Sequence, residues 1–236
     1  MRSCLIQLLI TVAVIFALLW FGLPFGASWL ATNALSAAGF TGTDTKVTVS
    51  ANLPPRILLG HADRIRLTST DASVSGLYAA TIDVTLTDVE LIDRTFTSVH
   101  GILTGVRVPA PNGDPVTIDS VSLDGAGTAA DATLTMSTAE MESLATSQIE
   151  SQTGAQAKVK LAAPNIVNMT INGHSAPGRL AVRNGELLLV PDSTALPTVT
   201  LIAAGHGNPF TFTSIVVSAG TVTLGGTIDL QSLLGL

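Results

Sequence analysis

Apolar and polar residues alternate along most of the chain from residue 46 onward. In the run 82–86, for example, apolar Ile, Val and Leu alternate with Asp and Thr. A period of two buries one face of a strand and leaves the other in water, which is typical of antiparallel sheets. We therefore predict a mostly β domain. Further alternating runs lie around Val47, Ile65, Val106, Val116, Val121, Leu134, Val159, Met169, Leu180, Leu187, Val199, Phe210, Ile215, Val222 and Ile228.

Turn and helix signals divide this pattern. Asn184-Gly185 lies between two alternating runs and predicts a tight hairpin. Ser137 and Glu140 form a capping box, in which the serine caps a helix and the glutamate reaches back to it. Gly154 ends that helix. Its apolar stripe consists of Met141, Leu144, Ala145 and Ile149.

The beginning of the chain has a different character. Cys4–Leu23 is almost continuously apolar and is about as long as a helix that crosses a bilayer core. It exceeds the usual signal-peptide core of about 7–15 residues. Arg2 precedes it, so the positive-inside rule puts the N-terminus in the cytoplasm. We expect an uncleaved anchor; cleavage after the late site at Ser36-Ala37-Ala38 is the alternative.

These features divide the chain into three segments. We predict that residues 1–26 form a transmembrane anchor or signal segment, residues 27–45 a helical connector, and residues 46–236 a β-rich domain outside the cytoplasm. The helical interpretation of the connector depends on Ala27–Ala38, with Gly39 and Gly42 as stop signals. We predict a single-pass protein of the cell membrane with its domain in the extracytoplasmic envelope, or a secreted protein after cleavage.

Composition and charge exclude several classes of function. The chain carries 11 Lys and Arg against 17 Asp and Glu, and it has no dense basic cluster. Nucleic acid is therefore not an expected partner, because phosphate binding needs clustered cations. Cys4 is the single cysteine, so an intramolecular disulfide is ruled out.

No constellation of catalytic or metal-binding residues stands out. The four histidines lack zinc-ligand spacing, no G-x-S-x-G elbow occurs, and Gly205–Asn208 lacks the lysine of a phosphate-binding loop. We predict no catalytic site, no metal site and no cofactor. A short helix is expected over Pro54–Leu59, since proline suits a first turn. His61-Ala62-Asp63 is then interpreted as a polar turn entering a strand, with Asp63 accepting local backbone N–H groups; an acid/base pair is the alternative.

The many one-sided strands raise a packing problem. A helix is only about 10 Å across, so one or two helices cannot cover so much apolar sheet. The sheet must curl on itself, pack as a sandwich, or enclose something else that is apolar.

Several segments resemble the LmeA family of phospholipid-binding proteins of bacterial cell envelopes. The resemblance is carried by Leu58–Leu67, by Val74–Leu77, and by the strand pattern from Ile82 to Leu91. Leu134–Ser137, leading into the helix, and Pro209–Phe212 through to Leu230 are also similar. The resemblance covers the chain from about Ala27 onward. At the N-terminus the chain departs from a typical secreted member, because no clear cleavage site follows the apolar run.

The resemblance implies a mostly β, α+β fold in which a highly curved antiparallel sheet wraps around a helix, similar to tubular lipid-binding folds. It implies non-catalytic binding of phospholipid acyl chains in an apolar groove, for lipid carriage or envelope lipid maintenance. The alternative is a structural or adhesive β-sandwich on a membrane anchor, without a ligand. Arg64 and Arg66 are expected to face outward, where they form a solvated strand face or, as the functional alternative, hold a lipid phosphate. The expected lipid-binding residues are Ile65, Leu67, Val84, Leu86, Met141, Leu144, Ile149, Arg64 and Arg66.

Overall fold

The computed structural model describes residues 40–52, 54–74, 77–93, 95–109, 115–127, 129–194, 196–204 and 210–229. The predicted anchor, residues 1–26, and the connector up to residue 39 lie outside these ranges. Among the residues that are described, no helix combines the length and the apolar character that crossing a membrane requires.

The described residues form thirteen strands, one α-helix and a short 3-10 helix, so the prediction of a mostly β, antiparallel domain is confirmed. The α-helix, α1, spans Thr138–Thr153, and the 3-10 helix spans Pro54–Leu59. The strands are β1 Thr41–Ser50, β2 His61–Val74, β3 Leu77–Glu90, β4 Ser98–Pro109, β5 Pro115–Ala126, β6 Ala129–Ser137, β7 Ala157–Ala162, β8 Ile166–Ile171, β9 His174–Arg183, β10 Glu186–Pro191, β11 Val199–Ile202, β12 Phe210–Ser218 and β13 Thr221–Asp229.

The start of β1 corrects one predicted boundary. Residues 41–45, assigned to the helical connector, are extended and belong to the strand. Thr41 is paired with Ser73 and Thr43 with Thr70 of β2, with register shifts between these pairs. The segment lacks alternating apolar residues, so its strand conformation depends on pairing with β2, which the local pattern does not reveal.

Two antiparallel sheets make up the domain. The larger has eight strands in the order β1-β2-β3-β4-β5-β6-β13-β12 and curls into a half-barrel. The smaller has five strands in the order β11-β10-β9-β8-β7. Helix α1 contacts β7 and β11 of the smaller sheet and β5, β6 and β13 of the larger one, and β9 packs against β12. The main core therefore lies at one side of the half-barrel.

Local signals set the hairpins and the helix ends as predicted. Asn184 and Gly185 have φ values of 52° and 80°, and Arg183 is paired with Glu186, which makes a two-residue hairpin loop. The Ser137 hydroxyl accepts the Glu140 N–H at 3.1 Å and so caps α1. Gly154 ends the helix in the left-handed region, with φ 69°.

One half of the predicted capping box is used differently. The Glu140 carboxylate accepts the backbone N–H of Thr117 on β5 at 3.4 Å. Ser137 is also the last residue of β6 and is paired with Thr221 of β13. The glutamate therefore links the start of the helix to the larger sheet.

Candidate functional site

The larger sheet presents a continuous apolar surface on the side that faces α1, and we call this surface the inner face. Residues directly opposite one another in antiparallel strands share a face, so the register defines three rows across the sheet. The first row is Val49, Ile65, Leu86, Val99, Gly125, Ala130, Ile228 and Phe210. The second is Val47, Leu67, Val84, Gly101, Leu123, Ala132, Gly226 and Phe212. The third is Ser69, Ile82, Leu103, Val121, Leu134, Leu224 and Ile215.

Coverage of the inner face is uneven. At the β12 and β13 side the rows end in buried residues such as Phe212 and Leu224, which belong to the main core. Between β2 and β6 the rows mix buried and partly exposed members. Ser69, Val99, Ala130 and Ala132 are buried. The partly exposed members are Ile65, Leu67, Ile82, Val84, Leu86, Leu103, Val121, Leu123 and Leu134. Of these nine, Ile82, Leu103, Val121, Leu123 and Leu134 pack against the main core. We call the partly exposed apolar stretch between β2 and β6 the floor.

Four of the predicted lipid-binding residues lie together on this floor. Ile65 is paired with Leu86, and Leu67 with Val84, across β2 and β3. Phe96, in the turn after β3, packs against the same clusters. Strict alternation along the two strands was sufficient to place these side chains on one face.

The three predicted residues of α1 lie elsewhere. Met141, Leu144 and Ile149 are buried in the main core with residues of both sheets. Ile65, Leu67, Val84 and Leu86 belong to separate apolar clusters. The structure therefore does not bring the helix residues and the strand residues into one site.

The two predicted arginines project from the opposite, outer face of the larger sheet. The Arg66 guanidinium donates from Nε and Nη2 to the Asp83 carboxylate at 2.9 and 2.7 Å. This bidentate pair holds the pKa of Asp83 below its usual range. Arg64 is exposed nearby. Ile65 and Leu67 lie on the inner face, so the sheet separates them from both guanidinium groups.

A pocket of about 420 Å³ lies between the C-terminal half of α1 and the smaller sheet. Ile149 is the predicted site residue that lines it, and Met169 and Leu189 contribute from β8 and β10. The alternating pattern of the smaller sheet marks these two side chains as inward-facing. It carries no signal for a void, which depends on how closely the helix packs on the strands.

A charged network surrounds His61 at the beginning of β2. The His61 Nδ1 atom lies 2.6 Å from Glu90 Oε1, and Nε2 lies 3.1 Å from Asp63 Oδ1. These contacts raise the pKa of His61, with the Glu90 hydrogen bond as the largest cause. His61 and Asp63 belong to strand β2 and not to a turn before it, so the predicted polar turn is wrong. Asp63 accepts the backbone N–H of Asn52, 11 residues away, and its pKa is lowered chiefly by that bond. Arg56 lies 3.6 Å from the same carboxylate.

Metal binding at this network has weak geometric support. Ligand atoms of His61, Asp63 and Asp88 lie within 4.8 Å of one another. However, both ring nitrogens of His61 already face carboxylate oxygens, of Glu90 and Asp63, which suits an imidazolium that donates two hydrogen bonds. A metal ligand needs one unprotonated ring nitrogen. His61, Asp63 and Glu90 therefore form a hydrogen-bonded network that joins β2 to β3, and we call these three residues the clamp.

Comparisons of the chain with protein-family models, with curated proteins and with solved structures found no match.

Proposed function

We propose that this protein is a non-catalytic phospholipid-binding protein of the cell envelope, which holds acyl chains against its inner face. The observation that carries the proposal is the partly exposed apolar floor between β2 and β6. Nine large aliphatic side chains there, in three aligned rows, are partly open to solvent. Soluble monomers rarely leave contiguous apolar surface uncovered unless it binds something.

The energetics of the floor suit a hydrocarbon ligand. Burial of each methylene contributes about 0.8 kcal/mol, so ten of them contribute about 8 kcal/mol before the cost of ordering the chain. Hydrophobic burial is not directional, so it selects a lipid head group poorly. Arg64 and Arg66 project from the outer face, so a phosphate held there and acyl chains on the floor would belong to different lipid molecules.

The finer architecture and the location form part of the same proposal. The half-barrel with α1 against its inner face supports a tubular type of lipid-binding fold. Residues 1–26 would hold the domain beside the bilayer on the extracytoplasmic side. Cleavage near Ala38 would instead release it as a soluble carrier.

The competing function is that of a structural or adhesive sandwich without a ligand. It is favoured by the packing of α1 and the smaller sheet against β5, β6, β12 and β13, which forms a shared core. A sandwich with facing sheets buries both inner surfaces. The partly exposed floor between β2 and β6 favours the lipid-binding proposal.

Native mass spectrometry of the full chain after mild detergent extraction tests the proposal. We expect adducts with phospholipid masses, and we expect a delipidated sample to regain them from phosphatidylcholine vesicles. A chain that carries no lipid and gains none from vesicles would exclude acyl-chain binding and leave the sandwich function.

A further inference from the structure

Four large aliphatic side chains protrude together at one end of the half-barrel. Leu58 and Leu59 end the 3-10 helix and are 62% and 74% exposed. Leu91 and Ile92 follow β3 and are 47% and 76% exposed. The two turns touch, because the Leu91 N–H donates to the Gly60 carbonyl at 2.7 Å. We call Leu58, Leu59, Leu91 and Ile92 the apolar tip.

The apolar tip continues inward to the floor. Ile57, the residue before it, and Phe96, just after it in the turn, pack against a cluster that includes Val49, Ile65 and Leu86. Those three residues begin the first row of the inner face. Buried Ala62 and Val89 of the same cluster connect the tip to the floor, beside the His61–Glu90 pair.

We infer that the apolar tip inserts into the hydrocarbon region of a lipid bilayer and passes lipid between that bilayer and the inner face. The inference rests on the proposed function and adds the source of the ligand. Exposed single aliphatic residues are ordinary, but four on two touching turns form a protruding surface that suits an acyl environment.

The charges around the tip indicate what kind of bilayer attraction operates. The described carboxylates outnumber the described guanidinium groups, so a polybasic attraction to anionic lipids has no basis here. Insertion would depend on apolar burial and would be insensitive to salt. The ionisable residues concerned are Arg56, His61, Arg64, Asp63, Asp88, Glu90 and Asp93, so four carboxylates adjoin three basic groups.

The chain that precedes β1 is long enough to allow this insertion. Thr41 is paired with Ser73, and Ser50 with Arg64, so β1 starts at the end of the sheet away from the tip. Ten residues of strand span about 34 Å. With the predicted helix over Ala27–Ala38 and the other five residues extended, the 17 residues between Leu23 and Thr41 span about 35 Å. A chain anchored through Cys4–Leu23 can therefore bring its tip back to the same bilayer.

Depth-dependent fluorescence quenching tests the insertion. In the full chain with Cys4→Ser, an environment-sensitive fluorophore is attached at Ile92→Cys or at Ile102→Cys. Ile102 is the matched control, because it is also an exposed isoleucine, at 57%, but lies on the outer face of β4. In phosphatidylcholine vesicles we expect emission from position 92 to shift to the blue and to lose most of its intensity when acyl chains carry a quencher. Position 102 should show neither change, and high salt should alter neither result.

A second measurement separates this inference from the proposed function. Leu59→Asp and Ile92→Asp should take up lipid from vesicles at least tenfold more slowly than Ile102→Asp, while all three variants bind equal lipid from mixed micelles. A tenfold change corresponds to about 1.4 kcal/mol. If position 92 is quenched in a chain that never binds lipid, the tip inserts into the bilayer but the floor does not bind acyl chains.

Three outcomes would overturn the inference. The first is normal lipid uptake by Ile92→Asp, with no quenching at position 92. The second is crosslinking of two Ile92→Cys chains in place of lipid quenching, which would identify a second copy as the partner of the tip. The third is a blue shift at position 92 that lipid quenchers do not affect, which would assign the tip to the chain's own N-terminal segment.

Discussion

The His61 Nδ1 atom lies 2.6 Å from the Oε1 atom of Glu90, its partner in the register of β2 and β3. Its other ring nitrogen faces Asp63 at 3.1 Å. The His61 ring therefore joins the carboxylates at the beginning of β2 and the end of β3. The apolar tip is formed by the turns that adjoin these two strand ends.

This clamp predicts a defined pH dependence of stability. The pKa of His61 is raised above 6.5, so its contribution is complete below pH 6.5 and is lost as the pH rises through the folded-state value. The pKa of Asp63 is lowered from 3.8, so its contribution is complete above that value and is lost as the pH falls through the folded-state value. Unfolding free energy from denaturant titrations should therefore be highest between these limits.

Substitution of the histidine tests which group is responsible. His61→Asn should flatten the decline of the unfolding free energy above pH 6.5, whereas His174→Asn, at the exposed start of β9, should leave the slope in place. An unchanged slope in His61→Asn would show that another group titrates in this range.

Lipid occupancy should depend on which face of β4 is changed. Leu103→Gln places a polar amide on the floor, where Leu103 is opposite Ile82 and Val121. Ile102→Gln alters the adjacent residue, which faces outward. We expect Leu103→Gln to weaken lipid binding by about tenfold, from the loss of about 1.4 kcal/mol of apolar burial, and Ile102→Gln to have no effect. Quantitative native mass spectrometry measures both, and equal occupancy in the two variants would contradict binding on the floor.

The cap of α1 should contribute measurably to stability. Ser137→Ala removes the acceptor for the Glu140 N–H and should lower the unfolding free energy by about 1 kcal/mol. Ser151→Ala is the matched control, because its hydroxyl bonds to the Gln148 carbonyl within the last turn and caps nothing at the N-terminus. Chemical denaturation measures the unfolding free energy of both variants. A similar small decrease in each would contradict a stabilising N-cap at Ser137.

The helix core predicts a larger loss. Met141 is fully buried among residues of both sheets, so Met141→Ala should cost about 2–5 kcal/mol. Ser143→Ala, on the exposed side of the same helix, should be nearly neutral. Thermal unfolding distinguishes them. Because Met141 lies outside the floor, Met141→Ala should still bind lipid at a low temperature at which it is folded. A loss of lipid binding by the folded variant would place the ligand beside the helix.

Local chemistry accounts for the parts of the fold that the sequence predicts well. The Asn184-Gly185 loop and the Ser137 cap need only neighbouring residues, so their signals are complete within a few positions. The inward direction of Ile65 and Leu86 follows from alternation. Each of these features depends on backbone geometry that a short segment fixes by itself.

Long-range packing accounts for what the sequence does not predict. His61 and Glu90 are 29 residues apart and meet only because β2 and β3 pair in one register. The Glu140 side chain bonds to β5 because that strand is within reach. The exposure of Leu59 and Ile92 is a property of two turns that touch. Nothing in their local sequence distinguishes them from core leucine and isoleucine.

The partly open rows of the inner face run across the strands, which has a consequence for ligand choice. Neighbouring strands are about 4.8 Å apart, so the longest partly open stretches, β2 to β5 in the second row and β3 to β6 in the third, each measure about 14 Å. Beyond β6 the rows are closed by the buried core, including Leu224. The floor should therefore discriminate by length: affinity should rise with acyl chain length up to about this span and then level off. A series of phosphatidylcholines that differ only in chain length would measure it.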